Sequence, residues 1–149
     1  MRARGHGRLL FMSSVARRIV LPPGAAYAAT KWALEALVES LGIEVAPFGL
    51  EAALLEPGAV SSGALDDVAS FALRDDPYHA LAGAGGPRDQ MMSPQEVAAG
   101  VADAAESPRL PLRIPLGAPA AAILVARREA PDTVPFVPGQ PAPAAGSGA

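Results

Sequence analysis

Tyr27 and Lys31 stand four residues apart in Tyr27-Ala28-Ala29-Thr30-Lys31, the spacing that puts two side chains on one helix face, one turn apart. A phenol ordinarily keeps its proton up to about pH 10 and is a poor base near neutrality. An ammonium within a few ångströms favours the phenolate, so the pair reads as a usable acid and base. Ser14 precedes Tyr27 by 13 residues, and a hydroxyl there would hold a substrate oxygen beside the phenol. Together the three fit proton transfer to or from a carbonyl or alcohol oxygen, with a hydrogen bond stabilising the developing charge. Each residue alone has a plainer reading: a half-buried tyrosine beside a solvated lysine, and Ser13-Ser14 as a turn. Their order along the chain favours the chemical reading.

That order is set by the elements around them. Arg8-Leu9-Leu10-Phe11-Met12 is a short apolar run ending in Ser13-Ser14, the pattern of a buried parallel strand entering a loop. After Pro22-Pro23-Gly24, the stretch from Ala26 to Val45 has Trp32, Leu34, Leu37, Val38, Leu41 and Val45 at helical spacing. Pro47-Phe48-Gly49 breaks it, and Leu50 to Leu55 reads as a second buried strand stopping at Glu56-Pro57-Gly58. Strand, helix and strand make one βαβ unit of an α/β fold, with a right-handed crossover expected. Ser14 then lies at the carboxyl edge of the sheet, where open α/β folds place ligands.

Residues 59–92 mix Gly, Ser, Asp and Pro and are expected to form a substrate loop or lid. Ser93-Pro94-Gln95-Glu96 is a capping box with proline at the first helical position, opening a helix through about Glu106. Pro111 to Gly117 reads as an edge strand, since an edge tolerates proline, and Ala120 to Arg128 as a last helix. The domain is expected to span 1–137. Residues 138–149, rich in Pro, Ala, Gly and Ser, are expected to be a disordered tail.

Composition narrows the function classes. At 149 residues the chain is about one domain long. A net charge of -3 argues against a nucleic-acid partner, which needs a basic face. The chain has no cysteine and two separated histidines, His6 and His79, so no metal site is expected. Ala118 to Ala126, the longest apolar run, is far short of the roughly 20 residues of a membrane span. Leu9 to Met12 is too short for a signal peptide, and a cytoplasmic chain is expected. The carboxylate pairs Asp66-Asp67 and Asp75-Asp76 read as solvated loop residues, Arg127-Arg128 as a complement to a helix dipole, and no Gly-x-Ser-x-Gly elbow points to a serine hydrolase.

Three blocks, Gly7 to Ser14, Ala26 to Leu34 and Glu56 to Ser62, resemble the short-chain dehydrogenase/reductase family in content and spacing. The resemblance implies a Rossmann-like, doubly wound parallel sheet, of which this sequence carries the carboxyl-terminal half. It implies hydride transfer between NAD or NADP and a carbonyl or secondary alcohol. Ser14 would position the substrate oxygen and Tyr27 would donate or accept the proton. Lys31 would assist the phenol and bind the nicotinamide ribose. Pro57, Gly58 and Val60 would cover the nicotinamide, and Ser62 would contact the cofactor. The region from Ser93 to Gly117 is similar to members acting on steroid, retinoid or other extended alcohols. Relatives pair through the helix that begins at Tyr27, so a homo-oligomer is expected.

The sequence departs from the family at Phe11, where many relatives have a polar residue, and at Arg17, where many have glycine. It has no counterpart of the family's first βαβαβ half, of its glycine fingerprint, of the residue selecting NAD or NADP, or of the relay asparagine. Gly83-Ala84-Gly85-Gly86-Pro87-Arg88 does not replace the fingerprint, because no strand precedes it and Arg88 takes the third glycine place. The alternative expectation is therefore a partial chain, non-catalytic by itself, with an unpaired inner sheet edge.

Overall fold

The computed structural model describes residues 1–63, 77 and 91–139. Asp66-Asp67, Asp75-Asp76, His79, the stretch Gly83 to Arg88, and the expected lid and tail, apart from residues 59–63, 77, 91–92 and 138–139, lie outside the described residues. The order is β1 (Gly7–Met12), α1 (Ala25–Val45), β2 (Leu50–Pro57), α2 (Pro94–Glu106), β3 (Arg113–Leu116) and α3 (Ala118–Glu129). The strands form a parallel sheet in the order β1-β2-β3. β1 and β2 run in register from Gly7 opposite Leu50 to Met12 opposite Leu55.

Strand alternation sends successive side chains to opposite faces, and the packing follows it. Ala52 and Leu54 of β2 meet Leu34 and Val38 of α1, with Leu9 and Phe11 of β1 beside them. Leu55 meets Ala104, Val97 and Val101 of α2, with Leu10 and Leu116. The two helices thus cover opposite faces. Both crossovers step the same way across a parallel sheet, so they differ in hand, and one of them departs from the right-handed preference.

The caps explain where the elements stop. Gly49 sits at φ 70° between a 3-10 turn (Ala46–Phe48) and β2, and a Cβ there would collide with the Gly5 carbonyl oxygen. Only glycine fits that turn. β2 runs two residues past the expected end because Glu56 and Pro57 pair with Pro115 and Leu116. At α2, the Ser93 hydroxyl accepts from the Glu96 amide while the Ser93 amide donates to the Glu96 carboxylate. That is the reciprocal box expected from the sequence.

Helix α1 differs from expectation in which apolar residues it buries. Ala28 and Val38 are buried, but so is Glu35, whereas Trp32 and Leu37 are exposed. Apolar residues run around more than one side of this helix, so periodicity alone did not choose the inner face.

Candidate functional site

Three consecutive residues at the tip of β1 are each fixed by a different bond. The Lys31 ammonium donates to the Met12 carbonyl at 2.9 Å. The Ser13 amide donates to the Leu55 carbonyl at 2.7 Å, and its hydroxyl donates to Glu35 Oε1 at 2.8 Å. Ser14 caps a 3-10 turn (Val15–Arg17), accepting from the Ala16 amide at 3.1 Å. One lone pair of the Ser14 hydroxyl is so engaged, and its proton can still be donated to a ligand oxygen.

Tyr27, Lys31 and Glu35 occupy successive turns of one α1 face, and two of those turns are tied to the tip of β1. The Lys31 nitrogen lies 5.6 Å from the Tyr27 ring centroid, within cation–π range. Tyr27 is 54% exposed and opens on a recess of about 250 Å³ walled by Val15, Ala16, Ile19, Ala28 and Ile123. Tyr27 thus borders the same recess as Val15 and Ala16 of the turn that Ser14 caps. A larger recess of about 420 Å³ lies on the α2 side, between Glu96, Gly100, Arg109 and Leu116, and contains none of the predicted site residues.

The second predicted cluster leaves the tip of the neighbouring strand. Pro57 ends β2, and an added Cβ at Gly58 would meet nothing within 4 Å, so a flat ring can approach that backbone. Val60 bridges Met92 in parallel fashion. The Met92 amide donates to the Ala59 carbonyl and the Ser61 amide to the Met92 carbonyl, each at 2.9 Å. The Ser62 amide donates to the Val60 carbonyl at 2.9 Å. These groups and the β1 tip lie at the carboxyl ends of adjacent strands.

Sequence reasoning missed the ionic layer beneath the site. Glu56, 0% exposed, pairs with Arg17 through Nε and, at 3.2 Å, through Nη2. Arg113 Nε donates to Glu35 at 2.7 Å and its Nη2 to Glu39 at 2.5 Å. Burial raises the Glu56 carboxyl above the ordinary carboxylate value, and the Arg17 guanidinium partly opposes that rise. The available signals were the four-residue continuation Tyr27, Lys31, Glu35, Glu39 and a carboxylate at the end of the Ala52–Leu55 apolar run. In the sequence Arg17 stands out only as a departure from the glycine of many relatives.

Among the described residues, no group of three or more His, Cys, Asp or Glu is placed to hold a metal, and no helix is long and apolar enough to cross a membrane.

Known proteins share this sequence and fold in part. Residues 1–71 match the short chain dehydrogenase family model. Human 17-beta-hydroxysteroid dehydrogenase type 1 is 41% identical over 68 residues, covering 46% of this chain and 21% of that protein. Oxidoreductase UcpA of Escherichia coli is 38% identical over 82 residues, covering 54% of this chain and 31% of that one. A solved short-chain dehydrogenase from Streptomyces avermitilis superposes with a TM-score of 0.71 at 33% identity, over 86% of this chain and 48% of its own. A short chain dehydrogenase from Burkholderia cenocepacia, solved with NADP, shares the fold at a TM-score of 0.63 and 19% identity, over 86% of this chain and 45% of its own. The chain thus spans about half the length of these solved structures, and its matched stretch spans about a fifth to a third of these curated proteins.

Proposed function

We propose that this chain, a partial member of the short-chain dehydrogenase/reductase family, supplies the substrate-side half of an NAD(P)-dependent oxidoreductase acting on a carbonyl or secondary alcohol. The observation that carries the reading is Lys31, bonded to the Met12 carbonyl and set over the Tyr27 ring. That bond ties the Tyr27 and Lys31 face of α1 to the end of β1, which Ser14 follows by two residues, and so supports assigning the three to one site. In this reading the Ser14 hydroxyl donates to the substrate oxygen, Tyr27 passes or takes the proton, and the Lys31 ammonium stabilises the phenolate. The nicotinamide, NAD or NADP, supplies the hydride when bound. Lys31 and Tyr27 would hold its ribose, Pro57, Gly58 and Val60 would cover its ring, and Ser62 would contact it. The apolar recess beside Tyr27 favours a substrate with an apolar flank.

Further parts of the reading are a domain over 1–137, with the lid at 59–92 and the tail at 138–149, cytoplasmic placement and a homo-oligomer built through α1. The α1 pairing is supported by Leu37 and Ile43, 57% and 74% exposed. The second reading, a partial chain that is non-catalytic alone, is favoured by β1, which forms an edge of the described sheet.

Replacing Tyr27 by Phe in the assembled enzyme tests the first reading. Turnover is expected to fall by about a hundredfold or more while dinucleotide affinity survives; a Phe variant of near-normal turnover overturns the assigned role. Calorimetric titration of the chain alone with NADH and NADPH tests the second, with no saturable heat expected. Saturable binding there would refute it.

A further inference from the structure

We infer that the chain carries an anion site, separate from the proposed catalytic edge, that takes a small phosphate-bearing molecule in a recess of about 350 Å³ lined by Arg17, Arg18, Arg113, Leu124 and Arg128. The inference is independent of the oxidoreductase reading. Four guanidinium groups come to this recess from three separate places: the turn after β1, the start of β3 and the last turn of α3. Like charges converge at a cost unless something negative offsets them.

The inner two are fully offset, by the three carboxylates Glu35, Glu39 and Glu56. Arg17 spends Nε and Nη2 on Glu56, and Arg113 spends the same pair on Glu35 and Glu39. Each leaves Nη1 without a protein partner among the described residues, on a group held in place by carboxylates. The outer two have no carboxylate partner among the described residues. Arg18 packs over the Trp32 ring at 5.8 Å. Arg128 is exposed, unlike its neighbour Arg127, which turns away to Asp132 and the Ala130 carbonyl. The adjacent arginines at the end of α3 therefore do different work, and only Arg127 is accounted for by local pairing.

The chemistry of the ligand follows from the count of charges and donors. Arg18 and Arg128 have no carboxylate partner among the described residues, four guanidiniums against Glu35, Glu39 and Glu56 leave a net positive charge at the recess, and Arg17 and Arg113 add preset N–H donors. A phosphate monoester brings about two negative charges and three acceptor oxygens, and the planar guanidinium fork matches it. A monocarboxylate brings one charge and two oxygens. The recess equals the liquid volume of about twelve waters at roughly 30 Å³ each, more than a bare phosphate fills, so room remains for a small organic group.

The chain reports on this site through its single tryptophan, because Arg18 lies on the Trp32 ring. Trp32 emission is titrated at low, constant ionic strength with inorganic phosphate, glycerol 3-phosphate and acetate, and calorimetry is run in parallel. Saturable responses to both phosphates are expected, tighter for the ester, with none to acetate. Arg128→Gln is expected to weaken both phosphates about fivefold or more, whereas Arg109→Gln, which removes an exposed arginine on the α2 side, leaves them unchanged. If Arg128→Gln fails to fold, Arg18→Gln read by calorimetry takes its place. Absence of saturation with either phosphate, an equal response to acetate, or equal weakening by Arg109→Gln overturns the proposal.

Discussion

The two faces of the sheet are built from different materials. Toward α2, the packing of Leu55, Ala104, Leu116 and their neighbours is apolar, with its polar contacts at the margins: Ser93 with Glu96 at the helix start, and Arg8, which pairs with Glu51 and donates to the Ala104 and Ala105 carbonyls. Toward α1, the same strands bury Ser13, Glu35 and Glu56, with Arg17 and Arg113 brought in to pair them. The proposed catalytic groups all lie on the α1 side or at its edge. One face is a scaffold held by area removed from water, and the other trades some of that for fixed positions, since buried ion pairs give little net stability but are costly to break.

The largest effect that separates the faces is expected from Arg17→Met. It leaves the Glu56 carboxylate buried without its cation, and urea unfolding should show a loss of about 3–5 kcal/mol. Adding Glu56→Leu should recover most of that loss; no recovery would mean that Arg17 acts through packing. On the apolar face, Leu55→Ala should cost about 3 kcal/mol through lost burial and a cavity, by an amount that does not change with pH. At the mouth of α2, Ser93→Ala should cost about 1 kcal/mol, the ordinary worth of an N-cap.

The smallest effects, and the sharpest, are pH slopes of opposite sign. Glu56 is raised by burial, so the folded chain binds that proton more tightly than the unfolded one. Its contribution is present below the ordinary carboxylate value and is lost as pH rises through the raised folded value. Glu96 is lowered, first by the Ser93 amide and then by its hydroxyl. Its contribution is present above the ordinary value and is lost as pH falls through the depressed one. Urea midpoints measured across acid pH should therefore lose their decline with rising pH in Glu56→Gln and their acid loss in Glu96→Gln. The same slope change in both variants would erase the contrast between the faces.

Local signals carried most of the architecture. The Ser93-Pro94-Gln95-Glu96 box, the break at Gly49 and the tolerance of Pro115 at an edge strand all act within a few residues, so they were legible in the sequence. The Tyr27 and Lys31 contact was legible because one helix turn is enough to bring the two side chains near each other. The pairing of Glu35 with Arg113, 78 residues apart, was not, because only the sheet order brings β3 beside β2 on the α1 side. Trp32 and Leu37 were read as part of an inward stripe, yet they face out. The burial of Glu35 follows from the Ser13 and Arg113 partners it finds, not from its own hydropathy. The opposed crossover hands lie equally beyond local reading, since handedness belongs to the path between strands.

The Val60 and Met92 bridge gives the chain a neck. Backbone departing after Ser62 and backbone arriving at Met92 are fastened at one point, so the sheet does not feel how many residues lie between. Closing a longer excursion costs little, about 0.6 kcal/mol per doubling. The number of residues between Ser62 and Met92 could thus change at small cost to the sheet.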